Sequence, residues 1–214
     1  MIKNFILPPQ ANRIALWVLV GLGVIILGLV GFFWYYGSPR YTDMGYRPQQ
    51  PIPFSHKLHA GDLGIDCRYC HFQVETSPVS NIPPLSVCMN CHQSVKRDSP
   101  NLTALFEAYK SEGLIEWVRI HRLPDFVRFD HSLHLRAGVS CFSCHGEIPR
   151  MEKVTQSQPL SMAWCLTCHR QPEMNLRPRE EITNFNWQLS HNNLSHISDE
   201  RKVKPPVDCS GCHQ

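Results

Sequence analysis

The sequence predicts a mainly α protein with extensive loops, set behind one N-terminal transmembrane helix. Three observations predict it. A 23-residue run from Ile14 to Tyr36 carries no charged side chain. Five copies of Cys-x-x-Cys-His follow it, each the length of one helical turn, and together they use all ten cysteines. Seventeen prolines argue against long regular elements.

The apolar run comes first. At about 1.5 Å per residue it reaches ~34 Å as a helix, enough for a hydrocarbon core of ~30 Å. A cleaved signal peptide is the alternative, but its apolar region is shorter and ends in a small-x-small site. This run ends in Phe32, Phe33, Trp34, Tyr35 and Tyr36, side chains suited to a membrane interface. It reads as an uncleaved signal anchor over 14–36, with 1–13 cytoplasmic. Lys3 and Arg13 precede it and no acid does, so the positive-inside rule places all that follows outside the cytoplasm. That means a single pass through the bacterial inner membrane, with the main domain in the periplasm. Residues 37–53, rich in proline and polar groups, read as an extended linker, and 54–214 as the periplasmic domain.

The motifs are Cys67–His71, Cys88–His92, Cys141–His145, Cys165–His169 and Cys209–His213. Cys-x-x-Cys is also half of a zinc site, but zinc needs no histidine directly after the second cysteine. Five such successions by chance have odds of about one in two million at this histidine content. The pattern is the attachment signature of c-type haem. Cys67, Cys70, Cys88, Cys91, Cys141, Cys144, Cys165, Cys168, Cys209 and Cys212 would form the thioethers. His71, His92, His145, His169 and His213 would be the proximal iron ligands. Five covalently bound haems then form the core, and the chain wraps them.

An internal duplication orders the motifs. Phe54-Ser-His56-Lys-Leu-His59 precedes the first motif and Pro84-Leu-Ser86 the second. Phe129-Asp-His131-Ser-Leu-His134 precedes the third motif and Pro159-Leu-Ser161 the fourth. Residues 54–92 and 129–169 are thus two homologous dihaem modules, with the fifth motif at 209–213. Between them the spacing of Leu102, Leu105, Phe106 and Tyr109 predicts a helix, with Ser99 as N-cap, Pro100 at its first position and Gly113 as its stop.

Seven histidines remain for the sixth iron positions. The duplicated pairs supply His56, His59, His131 and His134. His121 is the expected fifth, ahead of Met162, His191 and His196. No iron is obviously left open, and no P-loop, dinucleotide fingerprint or Ser/His/Asp set is recognisable, so the expected chemistry is electron transfer without catalysis by this chain alone. Of the 21 basic residues Lys3 and Arg13 lie on the anchor side, leaving 19 against 18 acids outside. With five bis-histidine haems the outer domain carries about −4 oxidised and about −9 reduced. No basic cluster suggests nucleic acid.

The strings PIPFSHKLHAGDLGIDCRYCH, PLSVCMNCH, EWVRIHRLPDFVRFDHSLH and PLSMAWCLTCHR resemble the pentahaem subunit of bacterial alternative complex III, over nearly the whole chain. Phe-x-His-x-x-His before Cys-x-x-Cys-His also resembles the multihaem cytochrome c3/c7 class, so the modules are expected to be c3/c7-like. That resemblance implies that His56 serves the haem on Cys67 and Cys70, and His131 the haem on Cys141 and Cys144. His59 and His134 would reach other haems. The first resemblance implies an electron-transfer subunit of a quinol:electron-acceptor oxidoreductase, in a respiratory or photosynthetic chain. Its implied partners are an iron–sulfur subunit resembling molybdopterin oxidoreductases, polysulfide-reductase-like quinol-binding membrane subunits, a monohaem cytochrome c and a soluble electron acceptor. A stand-alone membrane-anchored multihaem quinol dehydrogenase, donating to a periplasmic reductase, is the competing reading.

Overall fold

The computed structural model describes residues 9–38, 41, 43–188 and 203–213. His191 and His196 lie outside them. Two compact units divide between Asp43 and Met44. The first holds one helix, α1 (Pro9–Tyr36). It begins five residues ahead of the uncharged run, at a proline, which suits a first helical turn. Its stretch Arg13–Tyr36 has a mean hydropathy of 2.7 and is long and apolar enough to cross a membrane, which makes it a membrane-anchor candidate by length and composition.

The second unit contains short helices and no strand among the described residues. In chain order these are α2 (Cys67–Cys70), α3 (Leu85–His92), α4 (Thr103–Lys110), α5 (His131–Ala137), α6 (Cys141–His145), α7 (Met162–Arg170) and α8 (Cys209–Cys212). Two isolated antiparallel bridges, Val127 with His213 and Val139 with Leu176, are its β content. From Gly45 the expected linker is already part of this unit. Gly45 N donates to Gln156 O at 2.9 Å, Gln156 N donates to Tyr46 O at 3.1 Å, and Gln50 exchanges two 2.9 Å bonds with the backbone of Val118.

The helix expected after Ser99 is shorter than its pattern. Pro100–Leu102 is a 3-10 turn, Ser99 makes no side-chain cap, and the α-helix runs Thr103–Lys110. Gly113 N still closes on Ala108 O at 2.8 Å, and Leu105 is the side chain it buries.

The duplicated histidine pairs sit in related but unequal turns. In the second copy Asp130 accepts from Leu133 N, and Gly138, at φ 96°, ends α5. In the first copy Ser55 Oγ accepts from Leu58 N at 3.1 Å, the same cap at the equivalent positions. The first copy holds one more residue between its pair and its motif, eight positions from His59 to Cys67 against seven from His134 to Cys141. Lys57–Asp62 is accordingly a π-helical turn, closed by Leu63 N to Leu58 O at 2.9 Å. One inserted residue per turn is what a π-helix absorbs.

The apolar core made by the side chains is thin. Val74, Leu135 and Ile182 cluster with Cys141 packed against them. Leu58, Leu63, Phe72, Ile82, Leu114 and Leu133 are meanwhile exposed. Ile52, Leu105 and Leu176 are also buried, apart from that cluster.

The π turn packs on the 3-10 turn Ile148–Arg150 that follows the third motif. A Cβ on Gly61 would collide with Pro149 O, and Lys57 N donates to Met151 O at 2.9 Å. We expect Gly61→Val to destabilise the protein by about 1–3 kcal/mol through this overpacking. Lys57→Ala, which removes an exposed 3.3 Å pair with Glu152, costs less than about 1 kcal/mol. Thermal melts of the two variants check the order; equal melting temperatures would contradict it.

Candidate haem-binding sites

Each motif is a one-turn helix or the end of a slightly longer one, so its two cysteines face the same side of one turn. Four of the five turns begin on a side-chain cap. Asp66 accepts from Arg68 N, Ser140 from Phe142 N, Ser161 from Trp164 N and Asp208 from Gly211 N. These caps were missed in the sequence reading, although an Asp or Ser just before a helical pattern is the usual start signal. The Pro-Leu-Ser repeats differ for a reason of spacing. Ser161 lies four residues before Cys165, Ser86 only two before Cys88. In the longer copy Leu160 takes a left-handed φ of 49° and frees Ser161 to cap α7. In the shorter copy Leu85 is already helical.

Six of the expected iron ligands share one hydrogen-bonding geometry. The Nδ1 of His59, His71, His92, His131, His134 and His169 lies 2.6–3.1 Å from a backbone oxygen, of Ser55, Asn81, Val95, Pro78, Asp130 and Pro206 respectively. A carbonyl can only accept, so Nδ1 carries the proton and donates. In the neutral ring Nε2 then keeps its lone pair, the tautomer required of a metal-binding imidazole.

Burial keeps the inner rings neutral. It pulls His56 and His121 down to about 4 and His145 to about 3, with neighbouring imidazoles adding to the effect. His134 is lowered by the same cause. Two ring nitrogens are buried with no hydrogen-bond partner, Nδ1 of His56 and Nε2 of His121. An unmet buried polar atom costs about 1–3 kcal/mol, a cost that a metal on the Nε2 lone pair would remove at His121.

Three of the expected proximal ligands face an expected distal one at nearly constant separation. Ring centroids lie 6.2 Å apart for His59 and His92, 6.2 Å for His134 and His169, and 6.4 Å for His131 and His145. Nitrogens about 2 Å from a transition metal on either side place two opposed imidazole centres roughly 6 Å apart. His121 stands only 4.4 Å from His145, beside it and not across an intervening metal. His56 is close enough to His71 and His59 to feel their charge. His213 has Phe126 stacked on it at 5.6 Å. Met162 is 65% exposed at the start of α7.

One aromatic braces each pair. Phe54 meets His56 edge-on at 4.9 Å and stacks on His59 at 4.4 Å. Phe129 meets His131 edge-on at 4.7 Å and lies tilted against His134 at 4.6 Å. The Phe of Phe-x-His-x-x-His thus orients both rings, a role visible only as repetition in the sequence.

All ten cysteines are unpaired thiols. The Cys67 and Cys141 thiols are within hydrogen-bonding reach, and this contact together with burial pushes Cys141 up. Burial raises Cys70, with the nearby Cys88, Cys67 and Cys91 adding to the effect. Burial also raises Cys144 to about 12, with Cys168 and Cys165 beside it, and raises Cys165, with Cys212 beside it. Among the described residues no group of three or more His, Cys, Asp or Glu side chains converges to hold a bare metal ion. Separate pairs of thiols beside imidazoles whose Nδ1 atoms donate to backbone oxygens fit haem c.

Residues 127–214, which include the third, fourth and fifth motifs, match the family model of cytochrome c7 and related cytochrome c. Over 122 residues the chain is 30% identical to the multiheme cytochrome c subunit of menaquinone reductase from Nitratidesulfovibrio vulgaris, an alignment covering 56% of this chain and 55% of that protein. The chain therefore spans about half the length of the curated relative it matches. Both comparisons are with multihaem c-type cytochromes, the family model over the last three motifs and the relative over a longer stretch.

Asp66 ties the first motif to the rest of the unit, bonding Arg68 at 2.9 and 3.0 Å and accepting from Thr183 Oγ1 at 2.7 Å. Chiefly the Arg68 bond holds its carboxyl down at about 2. Since this lies below the unfolded value of about 3.9, its contribution is complete above about pH 4 and fades as pH falls through about 2. Asp66→Ala should cost about 1–2 kcal/mol as a lost cap. Asp66→Asn, which can still cap, should be less stable than the parent at neutral pH and equal to it near pH 2. Melts across that range check both.

Proposed function

We propose that the chain is a membrane-anchored pentahaem cytochrome c, the electron-relay subunit of a quinol:electron-acceptor oxidoreductase of the alternative complex III type. The supporting observation is the set of three imidazole pairs about 6 Å apart, in which five of the six rings donate Nδ1–H to a backbone oxygen. When bound, haem c supplies a one-electron ferrous/ferric couple. The ten cysteines hold the five macrocycles covalently, and His71, His92, His145, His169 and His213 are the proximal ligands. On the distal side His59 opposes His92, His131 opposes His145 and His134 opposes His169. His56 pairs with its neighbour His71, and His121 supplies the fifth distal donor. His131 and His56 then serve the haems just downstream of them, as the c3/c7 resemblance implies, and His59 and His134 serve the second haem of their own modules.

Imidazoles on both sides would let each haem change oxidation state with little rearrangement, which suits a relay. The helix Arg13–Tyr36 carries no acid that could take protons from a quinol, so a partner supplies that site. We assign the domain to the periplasmic side of the bacterial inner membrane, docked with an iron–sulfur subunit, polysulfide-reductase-like membrane subunits and a monohaem cytochrome c, and passing electrons to a soluble acceptor. The relative's name, menaquinone reductase, favours a second reading in which the same relay runs toward quinone.

Extraction of native membranes in mild detergent is expected to bring the chain out in a particle several times its own mass. Migration alone, with a high-spin ferric signal in electron paramagnetic resonance, would instead mark a stand-alone quinol dehydrogenase. Reduction of the haems by added quinol, or of quinone by the pre-reduced particle, separates the two directions. His131→Ala should retain five covalently bound haems while one of the five irons turns from low-spin to high-spin. An unchanged spectrum would remove His131 from the ligands.

A further inference from the structure

The duplicated modules do not place their motifs in the order of the chain. First and second motifs touch through Asn90 Nδ2, which donates to Tyr69 Oη at 3.1 Å, and the π turn carries His56 toward one and His59 toward the other. First and third motifs meet at the Cys67 and Cys141 thiols. They also share a brace: Ser140 Oγ and Cys141 N donate to Ile182 O at 3.1 and 3.3 Å, and the next residue, Thr183, donates to Asp66 at 2.7 Å. Third and fourth motifs are joined by α5, whose His131 faces His145 and whose His134 faces His169. Fourth and fifth are joined by His169 Nδ1, which donates at 2.6 Å to Pro206 O, three residues before Cys209.

Exposure follows this series. Cys91 of the second motif and Cys209 of the fifth are the exposed cysteines, and the other eight are partly buried. Chain order would instead put the first motif at an end, whereas its Cys67 is packed against Cys141 near the small core.

The geometry points to a single file of haem-binding motifs in the order second, first, third, fourth, fifth, with the Cys67–Cys141 contact as the junction between modules and the second and fifth motifs at its solvent-facing ends. This rests on the chain being a multihaem relay and adds the route through it. Along such a file one electron moves at a time and no bond is made or broken. An electron entering at either end crosses the junction, so the two modules act in series and not as parallel branches.

Iron-edge anomalous diffraction, or a cryo-electron microscopy map of the full pentahaem chain, tests the order by locating the five irons. The iron on His71 should have those on His92 and His145 as its neighbours. The iron on His169 should adjoin those on His145 and His213. The irons on His92 and His213 should each have one neighbour. An iron on His213 that adjoins the one on His71 or His92, or a first iron at an end, would overturn the proposal. Redox titration gives an independent reading, because replacing a histidine ligand by methionine raises a haem potential. His59→Met should shift one further couple by electrostatic coupling, and His134→Met two; the reverse count contradicts the file. Neither measurement involves quinol or partner subunits. A chain with this iron order that copurifies with no quinol enzyme would sink the functional reading and leave the file standing.

Discussion

The Nδ1–H to carbonyl bond is the interaction on which the rest of the molecule depends. An imidazole can bind a metal through Nε2 only if its other nitrogen holds the proton, and a backbone oxygen within about 3 Å enforces that choice. The acceptors come from loops: Asn81 and Pro78 after the first motif, Pro206 before the fifth, and Ser55 and Asp130 at the caps of the histidine pairs. Irregular chain is therefore not filler between the motif helices. It supplies the carbonyls that regular structure would consume in its own ladders, which gives a physical use to a chain so rich in proline.

The two modules are built alike where haem chemistry demands it and differ where spacing does. Phe54 and Phe129 hold their histidine pairs in similar ring contacts. The extra residue before the first motif is taken up as a π turn, and the two extra residues before the fourth as a left-handed Leu160. Each module also leans on the other. The π turn of the first packs on Pro149 behind the third motif, and His131 of the second bonds Pro78 behind the first through both its backbone N and its Nδ1. This exchange brings Cys67 and Cys141 together and ties the two copies of the repeat to each other.

Much of this was legible in the sequence because it is written in side chains at fixed spacing. The motifs, the apolar helix and the duplication are of that kind, and the match of residues 127–214 to the cytochrome c7 family supports the haem reading for the last three motifs. What could not be read rests on backbone or on a single residue of length. The π turn follows from comparing eight positions with seven, a difference that periodicity hides. The acceptor carbonyls belong to residues whose side chains are irrelevant, so Pro78 and Pro206 gave no signal. His121 illustrates the limit from the other side: its amphipathic setting suggested a ligand, and the structure buries it beside His145 with an unpartnered Nε2. The caps Asp66, Ser140 and Asp208 could have been found, since each directly precedes its motif.

The central claim is that these thiols carry haem and that the imidazoles close on iron. Pyridine haemochrome analysis of the purified mature polypeptide, with iron and zinc measured on the same sample, tests it most directly. The account predicts five haems c and five irons per chain, with no stoichiometric zinc. A count well below five, or zinc in place of iron, would contradict it.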